Sequence, residues 1–271
     1  MDHQNSFSTG MSEALPRCLV EYLHNRSKWP GFCKKIGRQI DRYQGTTWEA
    51  FFHNREIGFH QNDYKITAGA RAFIHVPRTA GTSVVDFFSR LPDARVEGLN
   101  IHRPVSRRCL PGRFRYFTIL RDPVERCWSF YRLTLHGQNH VPYHEAASRG
   151  LAHFCKQCWE MRNMYCRYLS GFPWREADTE ILHLAKNHLS RFEAVLSLGD
   201  LSKQIDRLCS VWSLSPSVAF QHRNRAPGPE MGLDPASREI LEEHNQMDLN
   251  LYTQFRNGFI RSPENQEGSS Q

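Results

Sequence analysis

Compact apolar runs alternate along this chain with stretches whose apolar residues recur every three or four positions, most clearly between residues 72 and 135. The run Ala72-Phe73-Ile74-His75-Val76, closed by Pro77, is expected of a parallel strand buried on both faces. Beyond it, Val84, Val85, Phe88 and Leu91 recur at helical spacing, and Pro92 closes the element. The same order repeats. Residues 116–120, Tyr-Phe-Thr-Ile-Leu, predict a second buried strand, and Asp122 then offers an N-cap with Pro123 at the first helical position. Val124, Cys127, Trp128, Tyr131 and Leu135 share one face of that helix, and Gly137 can end it. A third strand is expected over 194–198. One long C-terminal helix is expected from Asp234 and Pro235, burying Ile240, Leu241, His244, Met247, Leu251 and Phe255. Residues 1–70 lack a defensible period and read as a partly helical N-terminal extension. Residues 71–260 read as one α/β domain, and the polar stretch 261–271 reads as a disordered tail.

Composition narrows the class only slightly. The 271 residues, 39% hydrophobic and 23% charged, suit a globular domain with a substantial core. A formal charge of +7, from 35 Lys and Arg against 28 Asp and Glu, favours anionic ligands: nucleotides, nucleic acid, sulfated or carboxylated sugars, or lipid head groups. No zinc finger, aromatic RNA-binding pattern or basic recognition helix accompanies the charge, so nucleic acid is not the expected partner. Neither a signal-peptide pattern nor a run of about 18 apolar residues is visible, so a cytoplasmic protein without integral membrane association is expected. In that setting the eight cysteines are expected to be reduced thiols.

The candidate chemistry lies where the strands meet the helices. Unpaired amides at a helix N-terminus attract anions. After the first strand, Arg78, Thr79, Ala80, Gly81, Thr82 and Ser83 supply a cation, hydroxyls and a glycine that lets the backbone approach closely. The Gly-x-x-x-x-Gly-Lys spacing of a Walker A loop is absent, and an ordinary capped turn fits the same residues. The second junction strengthens the anion reading. Arg121 ends a strand just before a capped helix, with Ser129 about two turns further on, and ligands of parallel sheets gather at this edge. Two such junctions imply a ligand carrying two separated phosphate groups.

Residues 75–83, His-Val-Pro-Arg-Thr-Ala-Gly-Thr-Ser, followed by residues 116–131, Tyr-Phe-Thr-Ile-Leu-Arg-Asp-Pro-Val-Glu-Arg-Cys-Trp-Ser-Phe-Tyr, resemble the paired motifs of sulfotransferases that use 3′-phosphoadenosine 5′-phosphosulfate (PAPS). The carbohydrate O-sulfotransferase branch, with the heparan sulfate 2-O- and 6-O-sulfotransferases, is the more similar. Residues 100–105 (Asn-Ile-His-Arg-Pro-Val), 163–171 and 222–227 are similar to further segments of that family, extending the resemblance over about residues 71 to 257.

The resemblance implies a three-layer, P-loop-NTPase-like α/β fold with a central parallel sheet and a strand-loop-helix cofactor site. It implies that Arg78 through Ser83 hold the 5′-phosphosulfate of PAPS and that Arg121 and Ser129 bind its 3′-phosphate. By the same resemblance Arg223, Asn224 and Arg225 close over the nucleotide, and Asn163 and Arg167 line the acceptor or cofactor cleft. His102 corresponds to the general base. It would take the acceptor proton as the sulfuryl group moves in line to a hydroxyl, expected to be a saccharide's, while Arg78 stabilises the leaving phosphate without a metal.

The chain departs from the family pattern where it carries Arg78 in place of Lys and Ala80 in place of a common second Gly. Ala80 is tolerated if its φ is negative. A planar guanidinium is a poor point charge at the bridging oxygen, so Arg78 implies reduced activity or a shifted role, and a catalytically weak or inactive relative that binds a nucleotide or sulfated glycan is the alternative. A P-loop kinase is disfavoured by the missing Walker Lys. His153, Cys155, Cys158 and Cys166 suggest zinc, but there is only one C-x-x-C pair, and the segment reads more simply as a helix with Phe154, Cys158 and Met161 on one face.

Overall fold

The computed structural model describes residues 69–99, 104–105, 110–112, 114–136, 141–172, 175–216, 218–221 and 232–262. The first strand, β1 (Arg71–Ile74), is buried at every position, as its unbroken apolar run requires, and leads into helix α1 (Gly81–Ser89). A two-residue strand β2 (Val96–Glu97) precedes β3 (Arg115–Leu120), which runs into α2 (Pro123–His136). Four helices follow: α3 (Val141–Ser148), α4 (Leu151–Gln157), α5 (Met164–Ser170) and α6 (Thr179–Leu189). Strand β4 (Ala194–Ser197), α7 (Leu201–Val211), α8 (Pro235–His244), α9 (Gln246–Phe255) and β5 (Phe259–Ile260) complete the order.

The strands form one sheet in the order β2-β1-β3-β4-β5. The first four run parallel, with Ile74 beside Thr118 and Ile119 beside Leu196, while β5 pairs antiparallel to β4. The sheet is therefore mixed: its central strands are parallel, as the resemblance implies, and the edge strand β5 is antiparallel. Strands β2 and β5 are two residues each, too short for a periodic pattern to show them.

Alternating side chains of the parallel strands feed two cores. Ala72, Ile74, Tyr116 and Val195 pack with Tyr165, Leu169, Ile181 and Leu251 from α5, α6 and α9. On the other face Phe73, Phe117 and Leu196 meet Val84, Phe87 and Phe88 of α1 and Leu201, Ile205 and Leu208 of α7. Each fully buried Phe or Leu contributes roughly 2 kcal/mol through the water it sheds. A third cluster joins α2, α4 and α8 through Cys127, Phe130, Phe154, Cys158, Met161 and Leu241.

The connections from β1 and β3 leave on opposite faces, α1 onto one core and α5 and α6 onto the other. That makes the C-terminal ends of β1 and β3 a switch point, the edge of an α/β sheet where a crevice opens between diverging loops.

Several expected elements are interrupted. The long C-terminal helix breaks at Asn245, which is buried and donates from Nδ2 to the carbonyls of Met161 and Leu241 while its Oδ1 accepts from the Asn163 amide. The helix expected through 153–166 stops at Gln157, and a 3₁₀ turn (Trp159–Met161) precedes α5. Phe154, Cys158 and Met161 still share one core. Cys155 and Cys158 lie in that core and Cys166 in another, and the described cysteines 127, 155, 158, 166 and 209 are free and buried. Arg261, expected to open the disordered tail, instead continues the sheet edge through its amide bonded to Glu193 O at 2.9 Å. Gly258 makes this return possible: its φ is +65°, and a Cβ there would meet the Val195 carbonyl at 2.5 Å. Residues 1–68 and 263–271 lie outside the described residues.

Candidate functional site

Two strand-to-helix junctions meet at this switch point. At the first, Thr79 is buried and its hydroxyl donates to Val76 O at 2.7 Å, so it fixes the turn and does not face a ligand as expected. Arg78 (φ 71°) and Ala80 (φ 63°) adopt left-handed backbone conformations. Such a conformation costs an L residue roughly 1–2 kcal/mol, and Ala80 does not keep the negative φ on which its tolerance rested. Ala80 is also the N-cap of α1, and its methyl can accept nothing from the first helical amides; no acidic residue lies in that first turn. Gly81 is needed for a close approach, since a side chain there would collide with the ring of His75, which stacks on Phe73 at 5.3 Å. Ser83 is buried while Thr82 is exposed, so only Thr82 turns its side chain to solvent.

The second junction is built differently. The Asp122 carboxylate accepts from Val124 N at 2.9 Å and Glu125 N at 3.0 Å. The positive end of α2 therefore already holds an anion, its own. A phosphate at this junction has to be met by side chains and not by helix amides, which leaves Arg121 and Ser129 as the groups to meet it.

Arg78 joins those two side chains. Arg78 crosses between the junctions, donating from Nε at 3.2 Å and Nη2 at 3.1 Å to the Ser129 hydroxyl oxygen. The residues expected at opposite ends of a nucleotide thus touch. Burial first, and the nearby Arg121 charge second, lower the Arg78 pKa below the ordinary arginine value. Burial lowers that of Arg121 as well, opposed by Tyr165 and Glu125. Two cations share this space with little compensation: Arg121 Nη2 reaches Glu125 at 3.9 Å, and Glu125 is shared with Arg238 at 3.6 Å. Among the described residues, Arg121 Nε is buried without a hydrogen-bond partner. A buried donor beside a second cation is the setting in which an oxyanion gains most.

Asn163 and Arg167 are employed inside the fold. Asn163 Oδ1 accepts from Met247 N and Asp248 N at 3.0 and 3.1 Å, capping α9. Asp248 returns the cap by accepting from Tyr165 N and Cys166 N, each at 2.8 Å. Arg167 is 1% exposed, donates to Trp159 O at 2.9 Å and lies over the Trp159 ring, with burial lowering its pKa to about 10. Both side chains are engaged within the fold, where an acceptor or cofactor cleft was expected of them. His102, Arg223, Asn224 and Arg225 lie outside the described residues.

Two residues of the site escaped the sequence reading. His75 was taken as part of a strand's apolar run, yet it forms the wall against Gly81. Tyr165 has no role assigned from the sequence, yet its hydroxyl meets the Arg121 backbone. No family model matches the chain, and no curated protein matches it.

Proposed function

We propose that this chain is a PAPS-dependent sulfotransferase with a P-loop-NTPase-like core, moving a sulfuryl group to a hydroxyl of a carbohydrate acceptor. The observation that carries the reading is the pairing, at one switch point, of an uncapped helix N-terminus with Arg78, Arg121 and Ser129, where Arg121 Nε is buried and unpartnered. A ligand with two separated phosphate groups matches that pairing, and the residue order resembles the two PAPS motifs.

When bound, PAPS supplies the activated sulfuryl group. The first-turn amides of α1 and the Thr82 hydroxyl would hold the 5′-phosphosulfate oxygens, on a helix end that Gly81 lets pack against the His75 ring. Arg121 would fork onto the 3′-phosphate, and Ser129, which accepts from Arg78, retains its own proton as a donor. His102 would take the proton of the acceptor hydroxyl.

Transfer of labelled sulfate from PAPS to a panel of saccharides tests this directly. Transfer by the wild type, lost in His102→Ala with nucleotide binding kept, is the expected outcome; no transfer to any acceptor contradicts it. A second reading has its own support. Because Arg78 is bonded to Ser129, the loop's cation is turned away from where a bridging oxygen would lie, as in a relative that binds without turnover. Transfer by Arg78→Lys but not by wild type would select that reading.

A further inference from the structure

Arg121 is the first residue past β3, so its amide and carbonyl lie beyond the strand. One phenol satisfies both. Tyr165 Oη accepts from Arg121 N at 3.0 Å and donates to Arg121 O at 2.9 Å. Tyr165 is 0% exposed, and burial pushes its pKa well above the ordinary tyrosine value, so the hydroxyl keeps the proton that it donates. Its helix is pinned in turn, because the amides of Tyr165 and Cys166 end on the Asp248 carboxylate. A fixed line therefore runs from α9 through Asp248 and Tyr165 to the Arg121 backbone.

The side chain of Arg121 has little to aim it. Among the described residues its acidic contact is the 3.9 Å approach to Glu125, and its Nε has no hydrogen-bond partner. The direction of the guanidinium is consequently set from the backbone, and one rigid side chain holds that backbone. We propose that Tyr165 is a positioning residue that aims Arg121 at a phosphate monoester, an assignment that rests on the nucleotide reading above and deepens it to the 3′ end of the ligand.

Tyr165→Phe removes one oxygen and keeps the ring, and calorimetry with two ligands separates aim from fold. The expected result is an affinity for adenosine 3′,5′-bisphosphate about tenfold weaker, the worth of one or two lost hydrogen bonds, with affinity for adenosine 5′-monophosphate unchanged. Equal weakening of both ligands would make Tyr165 a merely structural residue, and no weakening of either would remove its role; both outcomes overturn the proposal. Absence of bisphosphate binding by the wild type overturns the nucleotide reading itself. Asp248→Asn, one link further back, carries the same test if Tyr165→Phe does not fold: a smaller loss in the same selectivity ratio is expected, and an unchanged ratio contradicts it.

Discussion

The two strand-to-helix junctions look alike in sequence and differ in how they treat a negative charge. At 121–129 the helix is finished: Asp122 caps it, Pro123 starts it, and Tyr165 holds the preceding backbone. At 77–83 the helix begins on Ala80 with no side-chain cap, and two non-glycine residues sit in left-handed conformations. The first junction is strained in the way that local functional loops are, while the second contributes Arg121 and Ser129 from a settled scaffold. A strand, a turn and a helix do not by themselves define an anion site. What matters is whether the helix end is already satisfied.

Breaking the uncapped junction has the largest expected effect. Gly81→Ala places a methyl against the His75 ring, and since a ring gives way poorly, the loop itself must move. A loss of roughly 2 kcal/mol in stability and of nucleotide binding is expected, by denaturant unfolding and calorimetry, with recovery of stability when His75→Ala is added. Full stability in Gly81→Ala alone would contradict the close approach.

At the capped junction, Asp122→Ala removes the acceptor of two amides and should cost about 1 kcal/mol in unfolding free energy. Nucleotide affinity should hold or rise, because a fixed anion leaves. A large loss of affinity would mean that Asp122 organises the site and does not merely close the helix. The smallest effect is expected for Ala80→Gly, which relieves a left-handed alanine. The relief of roughly 1–2 kcal/mol is partly offset by the freer unfolded chain, leaving a gain of about 0.5–1 kcal/mol.

Much of this framework was legible because it is local. The runs at 72–76, 116–120 and 194–196 are buried and must read as apolar, and Asp122-Pro123 is a start signal contained in adjacent residues. The arrangement that makes the site was not, because its partners are distant. Arg78 meets Ser129 across 51 residues and Tyr165 meets Arg121 across 44. Likewise, Asn245 breaks the C-terminal helix through bonds to Met161 and Asn163, and its apolar spacing alone predicted continuity. Asn163 illustrates the reverse error. A polar residue in a family-like motif was read as facing a ligand, whereas its amide oxygen is consumed by two helix amides. Ala80 carried a faint signal, since an alanine where glycine is common hints at a backbone better suited to glycine.

The central claim is that one ligand with two phosphate groups spans both junctions. Calorimetric titration of adenosine 3′,5′-bisphosphate into the wild type and Arg121→Ala tests it most directly. The account predicts saturable binding by the wild type, weakened by about 10- to 100-fold when the Arg121 guanidinium is removed. Absence of binding, or equal binding by both proteins, would contradict it.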